Sequence, residues 1–430
     1  MGAKGNFFAV DRRVWARVCD TGRINWAVAY LVMARGTLGD MRTTAWSVKA
    51  IEQRTAISRP AAKLAIQGLV EAGFVERQRE STRPLYSIRS AEEVCGIPRT
   101  QPPALTPIEA GVLEVIRRHP DGVFVPHTRG RRSGWPENAP SPTAIRLARL
   151  GLVRQIKSQT YAPVQQAKVE PVKGADWIWL PNTLVDGAAG ETQPVDRVRN
   201  AQQIGALRLL VDMYHAQQLS ARCGLYWRQI RLAYRRTLVG ERGQYSVYAF
   251  TPMDYQAWSS APFVAAHMTG KSTRVERPNG EAHDRDVGWD DFYDALHVLR
   301  EIGLVEIVPH LVEADTDEGE VIHPLAWSGE GEEEERAVGI AAHRAALALM
   351  PRQFRPEQGA RLVPILRHIE KAALVGLFRL RHRAKTTATA DWYGRMDTWR
   401  GWAERYRNLE DAAKGACNIN GTSTGDQRQD

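Results

Sequence analysis

Between Ser58 and Ala72 apolar residues recur every third or fourth position, and after Gly73 the chain switches to alternation with a period of two. The first spacing predicts an amphipathic helix, the second a pair of half-exposed strands. Ser58 is a preferred N-cap whose hydroxyl can accept a bond from an unpaired first-turn N–H, and Pro60 fits a turn that loses no bond to it. Ala61, Leu64, Ala65, Gly68, Leu69 and Ala72 make the expected buried face, with Arg59, Lys63 and Gln67 opposite. Gly73 stops the helix, as a residue tolerant of positive φ does. FVERQRE and PLYSIRS then alternate on either side of STR. Upstream, SVKAIEQRT (47–55) reads as a short helix capped by Ser47, with AIS as a tight turn into the next. NWAVAYLVMARGT (25–37) is apolar enough to be the helix that supports both.

The sequence of a leucine-spaced helix, a glycine followed by Leu or Phe and Val, and a strand returns twice, at 141–158 and 289–311. A helix capped by Thr106 precedes the second copy. The uneven spacing excludes a solenoid of fixed period. Residues 201–219 form another amphipathic pattern. In the stretch that follows, Tyr226, Trp227 and Tyr234 interleave with Arg228, Arg231, Arg235 and Arg236. It reads as a helix with arginines outside, and binding of single strands by stacking is the alternative. Residues 361–385 read as helix broken or kinked at Pro364, with Arg379, Arg381, Arg383 and Lys385 as a basic end. Trp392, Trp399, Trp402 and Tyr406 then line one helical face as core or dimer interface.

Helix, short helix, turn, second helix and a hairpin with a basic tip: this order resembles the winged helix-turn-helix of bacterial DNA-binding proteins. The repeated units are similar in layout to plasmid and phage replication initiators. The resemblance is fullest over 10–90 and thins through 105–165 and 200–312. It implies a mainly α protein with small β-wings, built of tandem winged-helix units and a helical C-terminal extension. The expected boundaries are a DNA-binding unit at 1–95, a second unit at 104–170, a third, acidic unit at 175–325, a helical region at 336–412 and a disordered tail at 413–430.

A recognition helix offers its N-terminal end to the major groove while the wing lies along the backbone. On that basis the expected DNA contacts are Ser58, Arg59, Lys63 and Gln67 in the helix, Arg77, Arg79 and Arg83 in the wing, and Lys49 and Arg54 from the preceding helix. In the second unit they are Arg129, Arg131, Arg132, Arg146 and Arg149. In the third copy Asp290, Asp291 and Asp294 stand at the helix start, where carboxylates repel phosphate, so that unit is expected to face protein.

Charge sharpens this picture. The chain of 430 residues carries a net +9, yet residues 286–335 hold sixteen Asp and Glu against Arg300 alone. The rest is therefore strongly basic, which suits a polyanionic partner. The DTDEGE and GEGEEEER runs read as solvated loops. Cys19, Cys95, Cys223 and Cys417 lie far apart without C-x-x-C pairing, as free thiols of a reducing cytoplasm do. No apolar run reaches a membrane-spanning length, and the first residues lack a signal-peptide core.

AAHMTGKS (265–272) fits a loose phosphate-loop pattern at Gly270, Lys271 and Ser272. The Pro- and Gly-containing stretch after it denies the required helix. No histidine or carboxylate constellation marks catalysis or a metal. The expectation is therefore a non-enzymatic binder without cofactor or metal, cytoplasmic and nucleoid-associated. Its partner is double-stranded DNA, with a homodimer and a protein bound at the acidic unit as further assemblies. The reading is of a sequence-specific replication initiator or transcription regulator of a bacterial mobile element. The alternative is a winged-helix assembly adaptor.

Overall fold

A computed structural model describes residues 6–79, 81, 84–95, 107–119, 123–125, 143–144, 147, 153–157, 160–163, 176–188, 190–217, 224–268, 273–276, 282–285, 287–313, 321–369, 371–383, 394 and 396–419. The chain divides into two compact units. One comprises residues 1–180, 202–209 and 262–295; the other comprises 181–201, 210–261 and 296–430.

The first unit opens with β1 (Phe7–Asp11), α1 (Arg12–Asp20) and α2 (Ile24–Arg35). Asp11 caps α1 by accepting from the Arg13 N–H at 2.9 Å. The middle of α2 is buried on all sides, from Ala27 to Ala34, as a helix without a polar face must be. Next come β2 (Thr43–Thr44), α3 (Val48–Arg54), α4 (Arg59–Glu71), β3 (Val75–Arg79), β4 (Leu85–Ile88) and α5 (Ala91–Cys95). The three strands form an antiparallel sheet in the order β2-β4-β3.

A second three-stranded sheet, ordered β5-β7-β6, follows α6 (Pro107–Arg117). It consists of β5 (Val123–Phe124), β6 (Val153–Lys157) and β7 (Thr160–Pro163). Val112, Leu113, Ile116, Val125, Ala144, Leu147, Val153 and Tyr161 make its core. β8 (Trp177–Pro181) pairs with β1.

Further along the chain are α7 (Thr183–Asp186), α8 (Pro194–Asn200), α9 (Ile204–Ala216), β9 (Ile230–Arg242), β10 (Tyr245–Ala257) and α10 (Pro262–Ala265). After them come β11 (Thr273–Glu276), β12 (Ala282–Arg285), α11 (Val287–Glu301), β13 (Val305–Glu313) and β14 (Val321–Pro324). The described chain ends with α12 (Glu333–Leu349), β15 (Arg361–Leu366), β16 (Ala372–Leu380) and α13 (Met396–Ile419). The second unit is organised by one six-stranded antiparallel sheet, β14-β13-β16-β9-β10-β15, curled into a half-barrel. Val338, Ala342 and Ala345 of α12 and Trp399, Ala403 and Tyr406 of α13 share one core with Phe250, Leu311, Val363, Ile365 and Leu374 of the sheet.

This architecture corrects the expected fold class. The protein is not mainly α with small wings: helix accounts for 45% and strand for 27%, and the largest sheet is no wing. The arginine-and-aromatic stretch read as helix is the β9–β10 hairpin, turned at Gly243 with φ +56°. Its Ile, Tyr, Thr and Val are β-formers, and two register shifts bend the pair. Within 361–385, also read as helix, Arg361–Leu366 is β15 and Ala372–Leu380 is β16. Pro364 is tolerated because β15 is an edge strand and needs no N–H there. Gly376 lets β16 close between its neighbours, since a Cβ would meet Ile307 at 2.5 Å and Leu232 at 2.8 Å. In the third copy of the repeat, α11 and Gly303 lead not into a wing but into β13, an inner strand of this sheet.

Two charge readings also change. The GEGEEEER run supplies the first turn of α12: Glu335 is fully buried and grips fully buried Arg379 at 2.7 and 2.9 Å. Arg379 is thus an internal ion-pair partner rather than part of a basic end. DTDEGE and Trp392 lie outside the described residues. Trp399 and Tyr406 belong to the core.

Candidate nucleic-acid interface

The site is built on α4. Ala62, Ala65, Ile66, Gly68 and Leu69 are its buried residues, packed against α2 and α3. Gly68 is required by the approach of α2, for a Cβ there would lie 2.0 Å from the Trp26 ring. The expected apolar face is thereby rotated by about one position. Ile66 turns inward and Leu64 outward, 66% exposed, because the 62-65-66-69 series satisfies helical spacing with a bulkier anchor. Ser58, Arg59, Lys63 and Gln67 are all exposed.

The turn into α4 is set by Thr55, which is buried. Its hydroxyl donates to the Ile51 carbonyl at 2.7 Å and accepts from the Ile57 N–H at 3.2 Å. Ser58 takes the extended N-cap backbone, but its side chain makes no capping bond. Gly73, at φ +76°, closes the helix, and the Phe74 N–H reaches back to the Leu69 carbonyl.

Around this face the charges are mixed. Arg59 makes a long, exposed contact of 3.5 Å with Glu52, worth little in water. Gln67 donates to Glu71 at 2.7 Å. Lys63 and Lys49 are exposed and form no ion pair among the described residues. Arg54 is half-buried and lies 3.7 Å over the Trp46 ring, with Arg35 also over that ring at 5.5 Å. It braces Trp46 and does not extend into solvent as a free cation. On the hairpin, Glu76, Arg77, Gln78 and Arg79 of β3 are exposed. At the far end of β4 the Ser90 N–H donates to Glu93 and holds its carboxyl below the usual range, with Arg42 adding to the effect.

Structure therefore brings Ser58, Arg59, Lys63 and Gln67 together on one exposed helix surface, and shows Arg77 and Arg79 on the strand that follows. Arg83, and Arg129, Arg131, Arg132, Arg146 and Arg149, lie outside the described residues, as do Gly270, Lys271 and Ser272. β11 begins at Thr273, directly after those three, where a phosphate loop would need a helix. Sequence reasoning missed Leu64, which the alternative 62-65-66-69 spacing would have identified.

Among the described residues no group of His, Cys, Asp and Glu could hold a metal ion. Cys19 and Cys95 are free thiols. No described helix is long and apolar enough to cross a membrane. Comparison with protein-family models, with curated proteins and with solved structures finds no match to this chain.

Proposed function

We propose that α2 to β4 form a winged-helix module that binds double-stranded DNA, with α4 in the major groove and the β3–β4 hairpin along the neighbouring backbone. In this reading the chain is a sequence-specific binding protein, a replication initiator or transcription regulator of a bacterial mobile element, working beside the nucleoid without a catalytic step. The observation that carries it is the exposed run Arg59, Lys63, Leu64 and Gln67 on a helix whose other face is locked at Gly68. Guanidinium and ammonium groups supply phosphate contacts, Gln67 can pair with a base edge, and an apolar Leu64 suits a thymine methyl. The first-turn N–H groups of α4 add a further attraction for phosphate.

The double charge reversal Arg59→Glu/Lys63→Glu is expected to weaken binding of a selected duplex by about a hundredfold or more, as loss of several phosphate contacts does. Circular dichroism should be unchanged, because both side chains are exposed. Anisotropy titration of wild type and variant on that duplex decides: equal affinities remove α4 from the interface. The exposed Leu64 also suits the groove of a protein, which is the adaptor reading. A partner retained through nuclease treatment, with no salt-dependent retention on DNA, would favour that reading instead.

A further inference from the structure

The second unit carries a separate cluster of arginine and tryptophan around the start of the β9–β10 hairpin. Arg231 lies opposite Gln256 in the strand register. Its Nε and Nη2 both donate to Gln256 Oε1, at 2.9 and 2.7 Å. The guanidinium carbon is 5.4 Å from the Trp227 ring centre and 5.1 Å from that of Trp258. On Trp227 sits a second guanidinium, Arg228, at 4.6 Å.

Arg231 is half-buried and has no carboxylate partner among the described residues. Asp254, two positions before Gln256, makes no ion pair with it. Burial first, and the charge of Arg228 second, lower its pKa. The Trp227 indole N–H is buried and unbonded, and so is the Gln229 side-chain oxygen. Trp258 is 37% exposed.

A structural cation in a protein interior is ordinarily matched by an acid, as Arg379 is by Glu335. Here the desolvated charge is oriented by an amide and flanked by ring faces, with unsatisfied polar atoms beside it. That combination fits a polyanion that also carries flat rings. An acidic peptide would supply the charge but leave the exposed indole without a partner.

We infer that the Trp227–Arg228–Arg231–Trp258 cluster binds single-stranded nucleic acid, with phosphate on the guanidinium groups and a base stacked on Trp258. Arg231 is held by Gln256 and the two indoles before any ligand arrives, so little ordering cost attends the contact. A stacked base adds affinity for any sequence, because every base has a π-face. The site is separate in residues and chemistry from α4, and neither proposal depends on the other.

The test is anisotropy titration of the full chain on labelled oligo-dT. Wild type should bind with strong salt dependence. Trp258→Ala and Arg231→Gln should each weaken binding by about five- to a hundredfold, the range expected for one stacked base or one charged contact. Both variants should keep wild-type affinity for the selected duplex, and Arg59→Glu/Lys63→Glu should keep wild-type affinity for oligo-dT. Should Arg231→Gln melt early, Trp258→Ala decides alone, since its ring is partly in solvent. The inference is overturned if oligo-dT is not bound, if both variants bind it as wild type does, or if polyglutamate competes for the cluster while oligo-dT does not.

Discussion

His310 and His323 are fully buried in the second unit, and the way each is held fixes its charge. His310 Nδ1 lies 2.8 Å from the Val308 carbonyl. His323 Nδ1 lies 3.0 Å from the Pro324 carbonyl, and its Nε2 is 2.9 Å from the Tyr406 hydroxyl. Desolvation lowers both pKa values from 6.5 to about 4; Arg379 adds to the effect at His310, and His310 adds a smaller effect at His323. Unfolded histidine takes up its proton near pH 6.5 while the folded protein resists until near pH 4, so stability is complete above that window and falls through it. Each group is worth about 3 kcal/mol by this linkage. A series of melts from pH 7 to pH 4 should show a steady loss, and His323→Gln should flatten part of the slope. A profile unchanged in that variant would mean that His323 takes up its proton as readily in the fold as in the unfolded chain. Glu335 opposes its own burial in a related way. Desolvation would raise its pKa, but the Arg379 charge and hydrogen bonds outweigh this and keep it lowered.

Among the elements, α4 depends on one missing methyl. Gly68→Ala places a carbon within 2.0 Å of the Trp26 ring, which must cost about 1–3 kcal/mol as the helices part. Duplex affinity should fall with it, and a smaller residue at Trp26 should restore some of the loss in denaturant titrations. Full stability in Gly68→Ala would show that α2 can yield. Helix α4, its stop at Gly73 and the hairpin after it were legible because helical spacing, Pro60 in the first turn and the glycine stop agree locally, although the capping bond expected of Ser58 is not made. Its rotation was not, since Ala61-Leu64-Ala65 and Ala62-Ala65-Ile66 both fit the period and only packing on Trp26 selects the second. β9, β10, β15 and β16 were misread for another reason. Residues such as Leu232, Ala233, Leu374 and Leu377 suit either state, and their pairing is set by strands far away in sequence. Glu335 looked like solvated charge because its partner Arg379 stands 44 positions on. The α4 surface was thus accessible to sequence reasoning, whereas the Arg231 cluster needed the hairpin register that sets it opposite Gln256.

At the scale of the whole molecule, the half-barrel is open, and its outer strands β14 and β15 each contain a proline, Pro324 and Pro364. A proline offers no N–H, so neither rim presents an unbroken ladder to a newcomer. The half-barrel can therefore stay unfinished without recruiting a second copy to complete it. Pro364→Val would turn one rim into a template for growth, and light scattering at rising concentration should then report strand-to-strand assembly that the parent chain avoids. Such blunted rims would keep neighbouring copies as separate particles and prevent their fusing into a fibre.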